Sequence, residues 1–256
     1  MGTYLIYAHE VQCEALVVQV LLNGVAIFEE PTGSYRFSQS KLNPWIVDGP
    51  NQLEVLAGPP PGEEVGKDAQ LKVSVIKAPH GKHPGPEAEV VAFEWNEGDH
   101  PLLPDQLTRV HEGPVPVDEG HGRWAWQDAA AYSPGDDGAI AGLVMHAAQT
   151  LAARDLTGYV GLLAVMNEEM SRALDVPAAE LLNDVSAALG ELFAADDWRV
   201  DPVDPARLRY SPTAGGQLVR VTDDLGNSPL RGTGGGQTFE TALTVSHLTQ
   251  GWTIVR

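Results

Sequence analysis

Residues 15–28 read ALVVQVLLNGVAIF, and this stretch decides the fold of the first half of the chain. An apolar run rich in valine and leucine, interrupted only by Gln19, stops at Asn23-Gly24, and apolar residues resume at Val25. Asparagine and glycine both tolerate a positive φ, which a type I′ turn requires at its two central positions. The stretch therefore predicts a β-hairpin.

Short apolar runs on both sides of the hairpin predict further strands. They lie at residues 4–8, 35–37, 53–57, 71–76 and 90–95. In one of them Leu71, Val73 and Val75 alternate with Lys72 and Ser74, so one face should meet a core and the other should meet water. Short strands separated by turns at this spacing are typical of an antiparallel β-sandwich.

Residues 96–137 lose this pattern and are rich in proline, glycine and acidic residues. A structureless loop of this length is unusual inside a compact domain, so the stretch either contains irregular edge strands or runs between domains. We place the boundary near Tyr132. This gives a β-sandwich domain at 1–131, with a Pro/Gly-rich terminal segment at 96–131, and a second domain at 132–256.

The second half of the chain changes its apolar period from that of strands to that of helices. Apolar residues recur at helical spacing in three stretches, 140–151, 162–174 and 181–193, with Gly158 and Pro177 between them. Strands are predicted again at 208–210, 218–222, 238–245 and 252–255. This order indicates an α+β domain in which three helices pack on an antiparallel sheet.

One passage of the first half resembles a known family. Leu42-Asn43-Pro44-Trp45 followed by residues 48–55 resembles a passage of galactose-binding-like jelly-roll domains, in which a glycine releases a turn that an asparagine side chain can close. The resemblance implies a jelly-roll β-sandwich. Sugar binding is not carried over, because nothing in this chain matches the ligand-binding loops.

The second half resembles the scytalone dehydratase-like α+β cone in the order of its elements over residues 139–256 and in its ending, residues 250–254. Cone enzymes of that type use Asp, His or Tyr side chains that project into the cavity. The resemblance implies Asp155, Tyr159, Tyr210 and His247 as cavity candidates, and no catalytic signature accompanies them.

The charge of the chain limits its partners. Acidic residues number 35 against 16 Lys and Arg, which gives a formal net charge of −19 at pH 7. A field of this sign repels phosphate backbones and anionic lipids, so we expect neither a nucleic acid nor a membrane as partner, and a basic protein is allowed. No apolar run reaches the roughly 18 residues of a membrane span, and residues 1–4 lack the features of a signal peptide, so we expect a cytoplasmic protein.

Five histidines are the candidates for metal ligands: His80, His83, His100, His111 and His121. Acidic residues among them could supply oxygen ligands for zinc or another divalent ion. However, His80 and His83 lie in Pro/Gly-rich sequence that offers no fixed helical face. We therefore expect solvated loop histidines and no bound metal.

The sequence does not indicate a phosphate site, a catalytic nucleophile or a cofactor site. Residues 232–236 read GTGGG beside Arg231, but they lead into a predicted strand instead of a helix, so a hairpin loop is expected and not a phosphate site. Cys13 is the single cysteine and precedes an apolar strand, where a buried thiol is the usual outcome. Without a nucleophile motif or a cofactor motif, we expect no cofactor.

Two classes of function follow. Trp124 and Trp126 would face the same side of an extended segment, which makes them the preferred pair if any tryptophans meet a partner, but core or interdomain packing is the role we expect for them. We expect a non-enzymatic binding protein whose acidic surfaces meet a basic protein, as bacterial immunity proteins meet basic toxins. The alternative is a small-molecule-binding or lyase/isomerase-type cone with the sandwich as an accessory domain. The sequence predicts neither the partner's identity nor the oligomeric state.

Overall fold

The computed structural model describes residues 4–82, 88–98, 100–118 and 122–256. It is a mixed α+β structure with antiparallel sheets and helices, as the sequence predicts. The chain divides into two compact units, Met1–Arg123 and Trp124–Arg256, and each unit has a hydrophobic core of its own. Residues 124–131, which the sequence analysis assigns to the first domain, belong to the second unit.

The described residues of the first unit form two four-stranded antiparallel sheets. The strands are β1 (Leu5–Glu14), β2 (Val17–Leu22), β3 (Val25–Glu30), β4 (Arg36–Lys41), β5 (Asn51–Gly58), β6 (Gln70–Pro79), β7 (Glu89–Glu94) and β8 (Thr108–Val115). One sheet has the order β4-β1-β6-β7 and the other β3-β2-β5-β8. Both sheets contribute side chains to one core, which is the arrangement of a β-sandwich.

The predicted hairpin is confirmed as β2 and β3. Leu22 pairs with Val25, and both turn residues have a positive φ, 55° at Asn23 and 75° at Gly24. The Asn23 side chain also ties the turn to its surroundings, because its Nδ2 donates to the carbonyl of Trp45 at 2.9 Å. The turn residues thus fix both the chain reversal and its position in the unit.

The alternation predicted for β6 is observed in part: Leu71, Val73 and Val75 are buried in the core and Lys72 is exposed, but Ser74, which was expected to meet water, is only 3% exposed. β1 has the same pattern, with alternate residues buried along the strand. β8 lies inside the Pro/Gly-rich stretch, where irregular edge strands were one of the two expectations. It is an edge strand that pairs with β5 through a bulge between Val55 and Leu56.

The second unit contains four α-helices and seven strands. The helices are α1 (Asp137–Ala152), α2 (Leu156–Leu162), α3 (Ala164–Leu174) and α4 (Ala178–Ala194). The strands are β9 (Arg199–Val200), β10 (Arg209–Thr213), β11 (Leu218–Thr222), β12 (Arg231–Gly234), β13 (Gln237–Glu240), β14 (Thr244–Leu248) and β15 (Gly251–Ile254). They form two antiparallel sheets, ordered β10-β11-β14-β15 and β13-β12-β9.

The fourth helix is α2, which the sequence analysis reads as a break at Gly158. The carboxylate of Asp155 caps this short helix by accepting a hydrogen bond from the Gly158 N–H at 2.9 Å. Asp at this position satisfies a backbone donor that has no partner inside the helix. The predicted strand 238–245 is likewise two strands, β13 and β14, which belong to different sheets.

The glycine-rich run is half strand and half turn. Gly232 and Gly234 lie in β12, and Gly235 and Gly236 form the hairpin turn with φ values of 58° and 75°. A Cβ at Gly232 would lie 2.7 Å from a ring carbon of Trp198, so glycine is required there by close packing. The expectation of a loop throughout this run is therefore wrong for residues 232–234.

Among the described residues, the helices are too short or too polar for any of them to cross a membrane.

Candidate functional site

Two of the four cavity candidates, Asp155 and Tyr159, have structural roles in the second unit. Asp155 is the cap of α2 described above. Tyr159 is buried in the core with its ring 6.3 Å from that of Phe239, and burial raises the pKa of its hydroxyl to about 12. Neither side chain is placed as an acid or base at an open site.

The other two candidates, Tyr210 and His247, lie in one half-buried aromatic cluster with Tyr132 and Trp252. His247 stacks on Trp252 with the ring centroids 5.1 Å apart and the planes at 10°. Tyr132 lies 6.4 Å from Tyr210 and 6.5 Å from Trp252. The structure therefore brings together two of the four residues that the sequence analysis singled out.

The tyrosine hydroxyls of this cluster are already engaged at the start of α1. Tyr132 donates to the carboxylate of Asp137 at 2.7 Å, and Tyr210 donates to the Asp137 carbonyl at 3.2 Å. The hydrogen bond to Asp137, followed by burial, raises the pKa of Tyr132 to about 12. These hydroxyls hold the helix against the sheet and are not free to serve a substrate.

Trp124 and Trp126, the candidate partner-binding pair, are buried, as the expectation of packing has it, so the alternative of an exposed pair is wrong. Their side chains are 0% and 3% exposed. The physical reason is that residues 125–128 form a 3₁₀ turn instead of extended chain, so the two rings do not share an outer face. Buried rings offer no contact area to a partner.

Trp124 instead lies beside a buried ion pair and the exposed Arg172. The guanidinium carbons of Arg172 and Arg256 lie 4.4 and 5.2 Å from its ring centroid. Arg256 also forms an ion pair with Glu169 at 2.6 Å, and each side chain of this pair is only 6% exposed. Because charges are rarely buried unless they are paired, this pair is an anchor of the second unit.

The histidines proposed as metal ligands are partly described. His83 and His121 lie outside the described residues, and His80 is exposed in the turn after β6. His100 and His111 lie beside Phe93, with ring centroids 5.9 and 4.9 Å from it, and burial lowers the pKa of His111. Within the described ranges, no three His, Cys, Asp or Glu side chains converge as metal ligands would.

A small charged cavity of about 180 Å³ lies in the second unit. Its charges pair with one another: Arg231 lies 3.1 Å from the carboxylate of Asp223 and 3.7 Å from that of Asp201. Arg207 at its edge binds Asp224 with a closest distance of 2.6 Å. These contacts pair both arginines with carboxylates, although Nε of Arg231 makes no hydrogen bond within the described residues.

A larger depression, about 460 Å³, lies on the outer face of the first unit, and we call it the sheet groove. Its floor is formed by Ile6 and Ala8 of β1 and by Ile76 and Ala78 of β6. These residues are direct partners in the register, Ile6 with Ala78 and Ala8 with Ile76, so all four side chains share one face of the sheet. This face is opposite to the one that carries the core residues Tyr7, His9 and Val75.

The rim of the sheet groove is cationic. Lys41, at the end of β4, pairs with Ala8 in the register, and His80 and Lys82 lie in the turn that follows β6. This turn is fixed by backbone hydrogen bonds, from Lys82 N to the Pro79 carbonyl at 2.9 Å and from His80 N to the Tyr4 carbonyl at 2.9 Å. A volume of this size with apolar walls and a few polar groups is typical of small-molecule sites.

The sequence analysis missed the sheet groove, although the signal is visible in β6. The polar residues Lys72 and Ser74 occupy the face of β6 that alternation assigns to water. The next two residues on this face are apolar: Ile76 and Ala78, two and four residues after Ser74. Apolar residues on both faces at one end of a strand indicate that the outer face is covered or used there.

Comparison of the chain with protein-family models, with curated proteins and with solved structures found no match. Its function is therefore inferred from geometry alone.

Proposed function

We propose that this chain is a non-enzymatic binding protein and that its first unit holds a small molecule in the sheet groove. We treat the two compact units as separate domains, a β-sandwich followed by an α+β domain with its helices packed on antiparallel sheet. The observation that supports the proposal best is the floor of the groove, where four apolar side chains from two central strands form a continuous patch on the outer face.

Exposure of an apolar patch on the solvent face of a sheet is unfavourable in free energy. A ligand that covers the patch removes this cost. Covering apolar surface is worth roughly 25 cal/mol per Å². The rest of this outer face is polar, with Glu10, Gln12 and Lys72 on the same strands. Ile76 and Ala78 are already only 7% and 8% exposed, so the apolar surface that a ligand would newly cover belongs mainly to Ile6 and Ala8.

A groove-filling variant tests the proposal. Octanol, an uncharged chain of suitable length, should bind the full wild-type chain saturably in a calorimetric titration, and Ala8→Trp should abolish binding by filling the floor. Ala92→Trp is the matched control, because Ala92 is exposed on the same face of the edge strand β7, opposite Ser74. Equal binding by wild type and Ala8→Trp, with unchanged unfolding of the variant, would refute the proposal.

A second candidate function is the binding of a basic protein, of the kind an immunity-type protein binds. It is supported by the net charge of −19 and by α4, which contains three acidic residues and no Lys, Arg or His. Glu180, Asp184 and Glu191 are exposed and are spaced by four and seven residues, so they lie on one helix face. Such a face would speed the encounter with a basic partner at low salt.

The second candidate has its own test. Tagged protein carrying Glu180→Gln, Asp184→Asn and Glu191→Gln should lose a basic protein that the wild type captures from native extract at low salt and releases at high salt. The control variant, Glu63→Gln with Glu64→Gln and Asp68→Asn, makes the same charge change in an exposed loop of the first unit. Identical capture by both variants would exclude α4 as the binding face.

A further inference from the structure

We infer that the ligand of the sheet groove is a small amphipathic anion, with its apolar chain on the floor and its carboxylate at His80 and Lys82, beyond the end formed by Ile6 and Ala78. The inference rests on the proposed function, because it names the ligand class for the same groove.

The lining of the sheet groove differs in charge from the rest of the chain. The chain has about twice as many acidic residues as Lys and Arg, 35 against 16. Nevertheless, the described residues that line the sheet groove include two lysines and a histidine and no Asp or Glu. Because this concave, apolar site has a positively charged lining in a protein of negative net charge, an anionic ligand is favoured there.

The floor has a basic turn at one end. β1 begins where β6 ends, since Leu5 pairs with Pro79, so His80 and Lys82 lie beyond the end of the floor formed by Ile6 and Ala78. Lys41 pairs with Ala8 and therefore lies beside the opposite end of the floor, at Ala8 and Ile76. The turn with Lys82 provides a place for one anionic head, and apolar surface extends from it along the strands.

The carboxylates nearest to the sheet groove along the strands are those of Glu10 and Glu89. Glu89 is opposite Ile76 in the register, and Glu10 is the next outward residue after Ala8. Neither lines the sheet groove, and Glu10 accepts a hydrogen bond from the side-chain amide of Gln39 at 2.8 Å. In the described part of the chain, neither of these carboxylates is therefore in the lining that an incoming anion would meet.

Titration of the full chain with three probes of equal length tests the inference: octanoate, octanol and octylammonium. We expect octanoate to bind about tenfold more tightly than octanol, and octylammonium to bind more weakly than both, because charge-assisted hydrogen bonds form only with the anion. Lys82→Glu should weaken octanoate roughly fivefold or more and leave octanol within about twofold, and Lys41→Glu, at the opposite end of the floor, should have a smaller effect on octanoate. Lys72→Glu, on the same face of β6 but outside the groove, is the control and should change neither.

The outcomes separate this inference from the proposed function. Equal affinity for octanoate and octanol, or equal effects of Lys72→Glu and Lys82→Glu, would overturn the anionic ligand and leave the groove as a small-molecule site. Absence of binding by all three probes would overturn both. A hexaglutamate peptide that binds with an affinity lowered by Lys41→Glu, while octanoate does not bind, would overturn the amphipathic ligand in favour of an acidic peptide.

Discussion

The side-chain amide of Asn23 donates a hydrogen bond to Oδ1 of Asn51 at 2.8 Å and so joins two turns that are far apart in the sequence. Asn23 makes the hairpin turn between β2 and β3, and Asn51 closes the turn that precedes β5. Its Nδ2 donates to the carbonyls of Val47 and Gly49, each at 3.0 Å, and its Oδ1 accepts from the Val47 N–H at 2.9 Å.

Replacement of Asn51 should destabilise the first unit. Asn51→Ala leaves several buried backbone groups without partners, and we expect the free energy of unfolding to fall by about 2 kcal/mol. Urea denaturation followed by methyl NMR signals of the first unit measures this. Asn96→Ala is the control: Asn96 is exposed and bonds the Gly98 N–H at 2.9 Å, so a loss below about 0.5 kcal/mol is expected. Similar losses for both variants would contradict this role of Asn51.

His9 should make the first unit sensitive to acid. Its side chain is 1% exposed, neither ring nitrogen has a partner within the described ranges, and burial lowers its pKa to about 4. The unfolded chain, with a histidine pKa near 6.5, takes up the proton first as the pH falls. Stability should therefore decrease from about pH 6.5 down to about pH 4, by about 3 kcal/mol in total.

His9→Leu should remove this contribution, so the variant gains stability relative to wild type as the pH falls from about 7 to about 5. Urea unfolding at both pH values gives the comparison. His80→Leu, at an exposed position, serves as the control and should follow the wild-type pH dependence. Parallel curves for wild type and His9→Leu would show that His9 is not the acid-sensitive group.

The buried pair of Glu169 and Arg256 should anchor the second unit. Arg256→Met strands a buried carboxylate and removes the cation beside Trp124, and we expect a loss of about 3–5 kcal/mol. Glu169→Gln in the same chain should recover part of this loss. Arg207→Met breaks the exposed pair with Asp224 and should lower the melting temperature far less than Arg256→Met does, because solvent screens the exposed charges. Thermal unfolding of the wild type, Arg256→Met, Arg256→Met with Glu169→Gln, and Arg207→Met measures these losses of stability. It shows whether breaking the buried pair is more destabilising than breaking the exposed one.

Two glycines of the second unit should respond in opposite directions to alanine. Gly190 lies inside α4 with no atom within 4 Å of an added Cβ, so Gly190→Ala should stabilise the protein by about 0.5–1 kcal/mol. Gly232→Ala forces a Cβ against Trp198 and should destabilise it by about 1–3 kcal/mol. Stabilisation by Gly232→Ala would mean that Trp198 moves aside easily.

Local patterns in the sequence predicted much of the fold. Asn23-Gly24 determines its turn through a backbone preference of the two residues themselves, and the alternation at Leu71, Val73 and Val75 follows from burial of one face of a strand. The periodic stretches at 140–151, 162–174 and 181–193 lie within the helices α1 to α4. Such features depend on neighbours within a few residues.

Features that depend on distant residues were not predictable in this way. Gly232 pairs with Val200 of β9, more than thirty residues away, and Trp198 packs closely against it, whereas glycine propensity alone favours a loop. Trp124 is buried because Arg172 and Arg256 approach its ring. The sheet groove forms from β1, β4 and β6, whose neighbourhood is known only once the sheet order is known.

The most direct test of the central claim is methyl NMR of the full chain during titration with octanoate. We predict saturable shift changes confined to the methyl groups of Ile6, Ala8, Ile76 and Ala78, and loss of these changes in Ala8→Trp. Saturable changes at methyl groups of the core or of the second unit, with none at these four residues, would contradict the account.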